Sequence, residues 1–353
     1  MNSLKGKVVL VAGGSRGAGR GIALACGEAG ATVYVAARTS TNGPKPLDGA
    51  PGTVEETAAE VDARGGKGIP VPSDLSGEAQ VSSLFRRIEE HHGQLHVLAN
   101  AAWGPNVIQE WSCRPWDLSP SSWHETLGTV AVSWLTSVYA ARLMIRSKNG
   151  LIVHVTDNYY VPDDDLSAAA PHPNPSAWRG QILHDLGHEW INRLIFGMSK
   201  YTRKYNVVIA GLNPGFMRTE RVLMHMKTEA IKKQFRFDLS ETTEYIGRAV
   251  VALAAAKDVI KKNGKLLWVC DLAREYGFTD TDGRYIPRFD PNAPVQAFPC
   301  RERPWVSECT RGGRQSLLWP NRSQHLVSSG ERGSSLPMAP FAAPCSPTMP
   351  PSK

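Results

Sequence analysis

Cysteine is scarce, six in 353 residues, at Cys26, Cys113 and Cys270 and then at Cys300, Cys309 and Cys345, with no C-x-x-C pair. So thin a scatter excludes a disulfide framework and a cysteine-rich zinc site. Long hydrophobic runs are missing too. None approaches the ~18–20 residues of a membrane span, so no membrane partner is expected. Met1 to Gly6 carries no apolar signal segment, and cytoplasmic residence is the expectation. Neither sign of charge dominates the body of the chain. The net charge is +7, but residues 299–353 hold seven Lys/Arg against three Asp/Glu, while residues 1–298 hold 33 against 30. A body so nearly balanced offers no electrostatic case for nucleic acid. The composition, 42% hydrophobic and 21% charged, is that of a globular protein and excludes collagen, coiled coil and a wholly disordered chain.

The composition divides the chain near residue 299. Residues 299–353 contain nine prolines, much Ser and Arg, and no sustained helical or strand period. Such a segment buries too little apolar surface to order itself, so 299–353 reads as a Pro/Ser-rich disordered tail and 1–298 as one domain.

Within 1–298, short apolar runs alternate with helical spacing. KVVLVA (7–12), ATVYVAA (31–37), GIPVPS (68–73), LHVLANAA (95–102), GLIVHVT (150–156), NVVIAGLNPG (206–215) and KLLWVC (265–270) read as seven strands. Helices are expected over 17–30, 54–64, 80–91, 121–145, 180–204 and 241–255. Strands without polar alternation, each followed by a helix, make a parallel sheet buried on both faces. Right-handed crossovers place helices on both sides, so the fold class is α/β, a doubly wound parallel sheet.

The first strand runs into Ala12-Gly13-Gly14-Ser15-Arg16-Gly17-Ala18-Gly19. Glycine at 13, 17 and 19 lets the backbone turn sharply, approach a pyrophosphate and pack a helix on the strand, while the next helix offers its free N–H groups to phosphate. A lone glycine pattern is weak; one that ends the first strand and opens a helix is specific. Where an NAD site wants a carboxylate for the ribose 2′-hydroxyl, the end of the second strand has Ala37-Arg38. Arg38, with Arg16 in the glycine loop, suits a 2′-phosphate, and NADP is the expected cofactor; Ser15 of that loop is counted with the cofactor-binding residues.

These residues, with Asp74 after the third strand, Asn100-Ala101-Ala102 after the fourth and Pro214-Gly215 with Thr219 after the sixth, resemble the short-chain dehydrogenase/reductase family over residues 4–280. The resemblance implies a Rossmann fold that binds a nicotinamide dinucleotide. It implies Asp74 near the adenine, Asn100 beside the ribose, and the Pro214–Thr219 turn on the nicotinamide amide. It also implies a homo-oligomer built on the helix that contains Ser137 to Met144.

At the chemical end the pattern breaks. The family's Tyr-x-x-x-Lys occurs nowhere in the chain. Counting back from Pro214 puts His184 and His188 in those two positions, Asp157 in the usual serine position and Val130 in that of the helix asparagine. Three readings follow. In the first, His184 is the general acid/base, Asp157 orients or charges it, His188 binds ribose hydroxyls, and Tyr159 or Tyr160 is a substitute acid. In the second, the protein is a catalytically silent nucleotide-binding module. In the third, His184, His188 and Asp157 hold a metal, although a bare H-x-x-x-H is weak evidence. Retention of the cofactor residues favours the first, an NADP-dependent carbonyl/alcohol oxidoreductase.

Two loops leave the carboxyl ends of strands, where ligands bind in such sheets. One (103–123) carries Trp103, Trp111, Trp116 and Trp123, and the other (157–183) carries Tyr159, Tyr160 and Trp178. They suggest a bulky or aromatic small-molecule substrate, with aromatic loop packing or a subunit interface the plain alternative. The acidic run 163–165 reads as a solvated turn.

Overall fold

The computed structural model describes residues 3–46, 49–103, 116, 118–120, 122–157, 182–234 and 237–288. The 299–353 segment, Trp111, Tyr159, Tyr160, Trp178 and the acidic run 163–165 lie outside them.

Seven strands form one parallel sheet: β1 (Val8–Ala12), β2 (Thr32–Ala37), β3 (Lys67–Pro72), β4 (Val97–Asn100), β5 (Gly150–Val155), β6 (Val207–Asn213) and β7 (Leu266–Trp268). Their order is β3-β2-β1-β4-β5-β6-β7. The order reverses beside β1, which pairs with β2 on one side (Val11 opposite Val35) and β4 on the other (Val11 opposite Ala99). The carboxyl end of β1 therefore faces the crevice at the topological switch point, the place where such sheets bind ligands.

The strands are buried from both sides, and their residues divide by alternation. Val9 and Val11 join the core under α1 (Gly17–Glu28), α2 (Val54–Ala63), α8 (Thr243–Ala255) and α9 (Val269–Tyr276). Val8, Leu10 and Ala12 join the core under α3 (Glu78–His92), α4 (Trp123–Ser147) and α5 (Ile182–Thr202). Helices α1 and α8 cross so closely that a Cβ on Gly21 would strike the Thr243 carbonyl, which is why a small residue is needed there. Arg64, just past α2, ties that helix to α8 by two bonds to Glu244, at 2.8 and 2.9 Å.

Several sequence expectations are corrected. KLLWVC does not run on as a strand: β7 stops at Trp268, and Val269 begins α9, whose apolar residues Val269, Leu272 and Ala273 face the core at helical spacing. The helix expected from Glu241 starts at Thr243, because Glu241 is bridged to Met217. Two short helices, α6 (Glu220–His225) and α7 (Glu229–Gln234), lie where none was read. Residues 126–147 of α4 are apolar and long enough to cross a membrane by composition, contrary to the reading of no such run, but more than half of that stretch is packed inside.

Candidate active site

The glycine loop is held as a tight cradle between β1 and α1. Gly13 has φ +83°, and a Cβ there would lie 2.6 Å from the Ala102 backbone. A Cβ on Gly19 would run into the Gly13 carbonyl. Main chain alone can therefore line this turn, the condition for close approach of a pyrophosphate. Ser15 is buried, and its carbonyl lies against Gly52 of the loop that precedes α2. Arg16 Nη2 donates to Thr39 Oγ1 at 2.7 Å, so the glycine loop is fastened to the segment just beyond Ala37-Arg38. Arg38 is exposed there. The two guanidiniums thus belong to segments that the fold joins at the end of β2.

Asp74 lies at the carboxyl end of β3. Its Oδ1 accepts from the main-chain N (3.0 Å) and Oγ (2.8 Å) of Ser76, building the turn into α3. Asn100, last residue of β4, is buried; its Nδ2 donates to Thr136 Oγ1 at 2.9 Å, and its Oδ1 is buried with no donor among the described residues. An orphaned acceptor at the end of the strand beside β1, together with a cradle that a Cβ would fill, fits a nicotinamide dinucleotide. On the far side, Thr219 caps α6 by accepting from Val222 N, and its side chain closes on Gly17. The Pro214-Gly215 turn rests on Glu241, whose carboxylate accepts the Gly215 N–H. Glu241 is buried, and desolvation pushes its carboxyl up to about 8; neighbouring Asp280 pushes the same way, while the Gly215 bond and Arg218 oppose it.

The chemical end lies on α5 and the end of β5. His184 and His188 are one helical turn apart, with ring centroids 4.4 Å apart. Trp103 lies parallel to the His188 ring at 4.1 Å and tilted to the His184 ring at 5.1 Å. His188 Nδ1 is 3.3 Å from Thr156 Oγ1, and Thr156 donates to Asn192 Oδ1 at 2.6 Å. Burial, with His184 close by, holds the His188 imidazole well below the usual histidine range, so His188 is neutral at neutral pH. His184 Nδ1 is 3.6 Å from Asp185 Oδ1.

The structure brings His184 and His188 together on one face of α5. A carboxylate that sequence reading did not name, Asp185 on the same helix, lies beside His184. Asp157 is located by its carbonyl, which accepts from Asn192 Nδ2 at 3.1 Å. Val130 is an apolar residue buried in α4 with no proton to offer. Of the expected aromatic wall, Trp103 reaches the histidines, whereas Trp116 and Trp123 are largely exposed, the latter against His124. Among the described residues no cluster of three or more His, Cys, Asp or Glu could hold a metal ion. Thr156, Asn192, Asp185 and Glu241 were not singled out from sequence. Asn192 carried a signal, since 184, 188 and 192 share one helical face; Glu241 carried none.

Known proteins show the same framework. The family described as short chain dehydrogenase matches residues 7–159. Dehydrogenase/reductase SDR family member 1 of Homo sapiens is 34% identical over 294 residues, which is 80% of this chain and 86% of that protein. Its Mus musculus counterpart is 35% identical over 295 residues, with the same shares. Among solved structures, a short chain dehydrogenase from Mycobacterium thermoresistibile superposes with a TM-score of 0.65 at 20% identity, covering 81% of this chain and 93% of that one. A metagenomic short-chain oxidoreductase in complex with NADP gives 0.55 at 20% identity, covering 75% and 97%. The strand order, the glycine cradle at the switch point and a relative that matches along four-fifths of the sequence lead to one assignment: the chain belongs to the short-chain dehydrogenase/reductase family of oxidoreductases.

Proposed function

We propose that the protein is an NADP(H)-dependent oxidoreductase that interconverts a carbonyl and an alcohol on a bulky or aromatic small molecule, with His184 as general acid/base. The observation that carries this reading is the His184–His188–Trp103 cluster on α5; counting back from Pro214 equates the two histidines with the family's tyrosine and lysine. The nicotinamide, when bound, supplies or accepts a hydride. The chain's own residues handle the proton. A carbonyl oxygen under reduction needs a proton donor within ~2.6–3.2 Å or through one water. His184 is partly exposed, and its Nδ1 lies 3.6 Å from the Asp185 carboxylate. His188, neutral and stacked on Trp103, hydrogen-bonds to Thr156 and so fixes the helix face that presents His184.

NADP(H) is favoured over NAD(H) by Arg16 and Arg38 at the end of β2, where Ala37 replaces a carboxylate. Asp74, Asn100 and the Pro214–Thr219 turn complete the cofactor residues. A homo-oligomer is supported by an apolar stripe on α4 (Trp123, Leu127, Trp134) beside exposed Leu186 and Trp190 of α5. A catalytically silent dinucleotide-binding module is the second reading, favoured by the missing Tyr-x-x-x-Lys.

The test is single-turnover NADPH oxidation against pH with a panel of carbonyl substrates, for wild type and His184→Ala. The expected result is a wild-type rate that falls as an imidazole gives up its proton, and a loss of on the order of 10²-fold or more in the variant. An unchanged variant rate removes the role from His184. Binding of NADPH without turnover on any substrate supports the silent module. Titration with both reduced cofactors checks the cofactor: Arg38→Ala should weaken NADPH far more than NADH, and equal or tighter NADH binding in wild type defeats the NADP reading.

A further inference from the structure

Helix α1 opens without a cap of its own. Arg16, at the N-cap, makes no side-chain capping bond, and no acid stands in the first turn. Uncapped N–H groups and the positive end of the helix dipole are what a phosphate needs. Yet the first of these N–H groups already has an anionic acceptor. Gly17 N donates to Glu220 Oε2 at 2.7 Å, across 203 positions of sequence. The other oxygen of that carboxylate lies 3.5 Å from Arg20 Nη1, and Arg20 also holds Glu60 at 2.5 Å. The Glu220 side chain is only 17% exposed, so the seat is sheltered. A helix that carries no negative complement of its own thus receives one from a residue distant in sequence, at the point where the glycine loop offers its main chain.

We propose that Glu220 is a displaceable internal anion: its carboxylate takes the acceptor position at the head of α1 that the dinucleotide's pyrophosphate requires, and the two exchange when the cofactor binds. The inference rests on the cofactor reading above. Two anions cannot share one N–H donor, and their repulsion at a few ångströms in a sheltered site is substantial. The exchange also has a mechanical side. Glu220 is the first residue of α6, and Thr219 is its cap. With the carboxylate on Gly17 and Arg20, the 220–225 helix is tethered to α1; with phosphate in its place, that tether is released and Arg20 turns one side to the incoming charge.

The experiment is a fluorescence titration of the full chain, comparing wild type, Glu220→Ala and Glu220→Gln, with NADPH and with adenosine 2′-phosphate, which lacks the pyrophosphate. Hydrogen exchange of residues 219–227 is followed in parallel. Removal of the competing carboxylate should tighten NADPH by on the order of 10-fold and leave adenosine 2′-phosphate unchanged. Glu220→Gln, which keeps an oxygen acceptor without the charge, should fall between, and it carries the test should the alanine variant fail to fold. Exchange in 219–227 should rise in wild type on addition of NADPH to the level that Glu220→Ala shows without it. NADPH binding that is unchanged or weaker in both variants, with wild type binding normally, overturns the proposal and makes Glu220 a prop of the glycine loop. Failure of wild type to bind any nicotinamide dinucleotide overturns the cofactor reading, and this inference with it.

Discussion

His154 lies inside the sheet with Nε2 3.0 Å from Ser137 Oγ and with Nδ1 lacking a partner among the described residues. Burial holds its imidazole down to about 4, and His96, whose Nδ1 accepts the Val8 N–H, is likewise held to about 4 by burial and then by Lys7. Between pH 4 and the usual ~6.5 the unfolded chain binds protons at these histidines that the folded chain refuses. Their contribution is complete above that range and is lost as pH falls toward 4. Glu241 has the opposite sign. Its carboxyl, raised to about 8, keeps a proton that the unfolded chain releases near 4.5. Its contribution is complete below 4.5 and is lost as pH rises through 8. Two histidines outweigh the one carboxyl where the windows overlap, so thermal stability should rise to a maximum near pH 6.5 and fall from there toward 8. Melting curves from pH 4 to 9 check this. Glu241→Gln should flatten the fall from pH 6.5 to 8, which one proton can tilt by at most about 1.4 kcal/mol per pH unit, and steepen the rise between 4.5 and 6.5, where Glu241 opposes the histidines. An alkaline limb that persists unchanged in the variant would reject the assignment to Glu241.

Helix α2 shows how far local chemistry specifies an element. Thr53 Oγ1 accepts from Glu56 N at 3.1 Å, and Glu56 Oε2 accepts from Thr53 N at 3.0 Å, a reciprocal cap. Thr53→Ala should cost about 1 kcal/mol of unfolding free energy, measured by urea denaturation, and leave cofactor affinity within about 2-fold. At the glycine turn the cost has another origin. Gly19→Ala places a methyl group against the Gly13 carbonyl, and both stability and dinucleotide binding should fall together; a variant that binds normally would show that the loop can shift. Buried parallel strands and the glycine turn were legible in sequence because apolar runs and glycine spacing are local signals. That His184 and His188 share one face of a helix was legible from their spacing of four, which is also a local signal. Helices α6 and α7, six residues each, were not, since neither spans two turns of period. Nor was the end of β7, because LLW and VC read as one apolar run and only the i, i+3, i+4 burial of Val269, Leu272 and Ala273 separates helix from strand. Asp185, Glu220 and Glu241 escaped for a different reason: their roles depend on which charged or main-chain group the fold sets opposite them.

Across the whole molecule, α4 and α5 lie side by side and leave Trp134 (48% exposed) and Leu186 (56%) uncovered. If this face joins two copies, Trp134→Glu with Leu186→Glu should shift sedimentation from dimer to monomer, with a monomer stability change within about 0.5 kcal/mol per surface site. A wild type that sediments as monomer at micromolar concentration would reject the assignment. The strand order has a further consequence, in time rather than space. Strand β1 lies between β2 and β4, and its Val8 N–H waits for His96, 88 residues later. Gly17 waits for Glu220, 203 residues later. A chain assembled from such distant pairings closes its largest loops before it is rewarded, so it folds slowly compared with a helical bundle of equal stability. As the polypeptide leaves the ribosome, the phosphate cradle is among the first pieces to emerge. It is also among the last to be completed, because the residue that seals it is synthesised only after six of the seven strands.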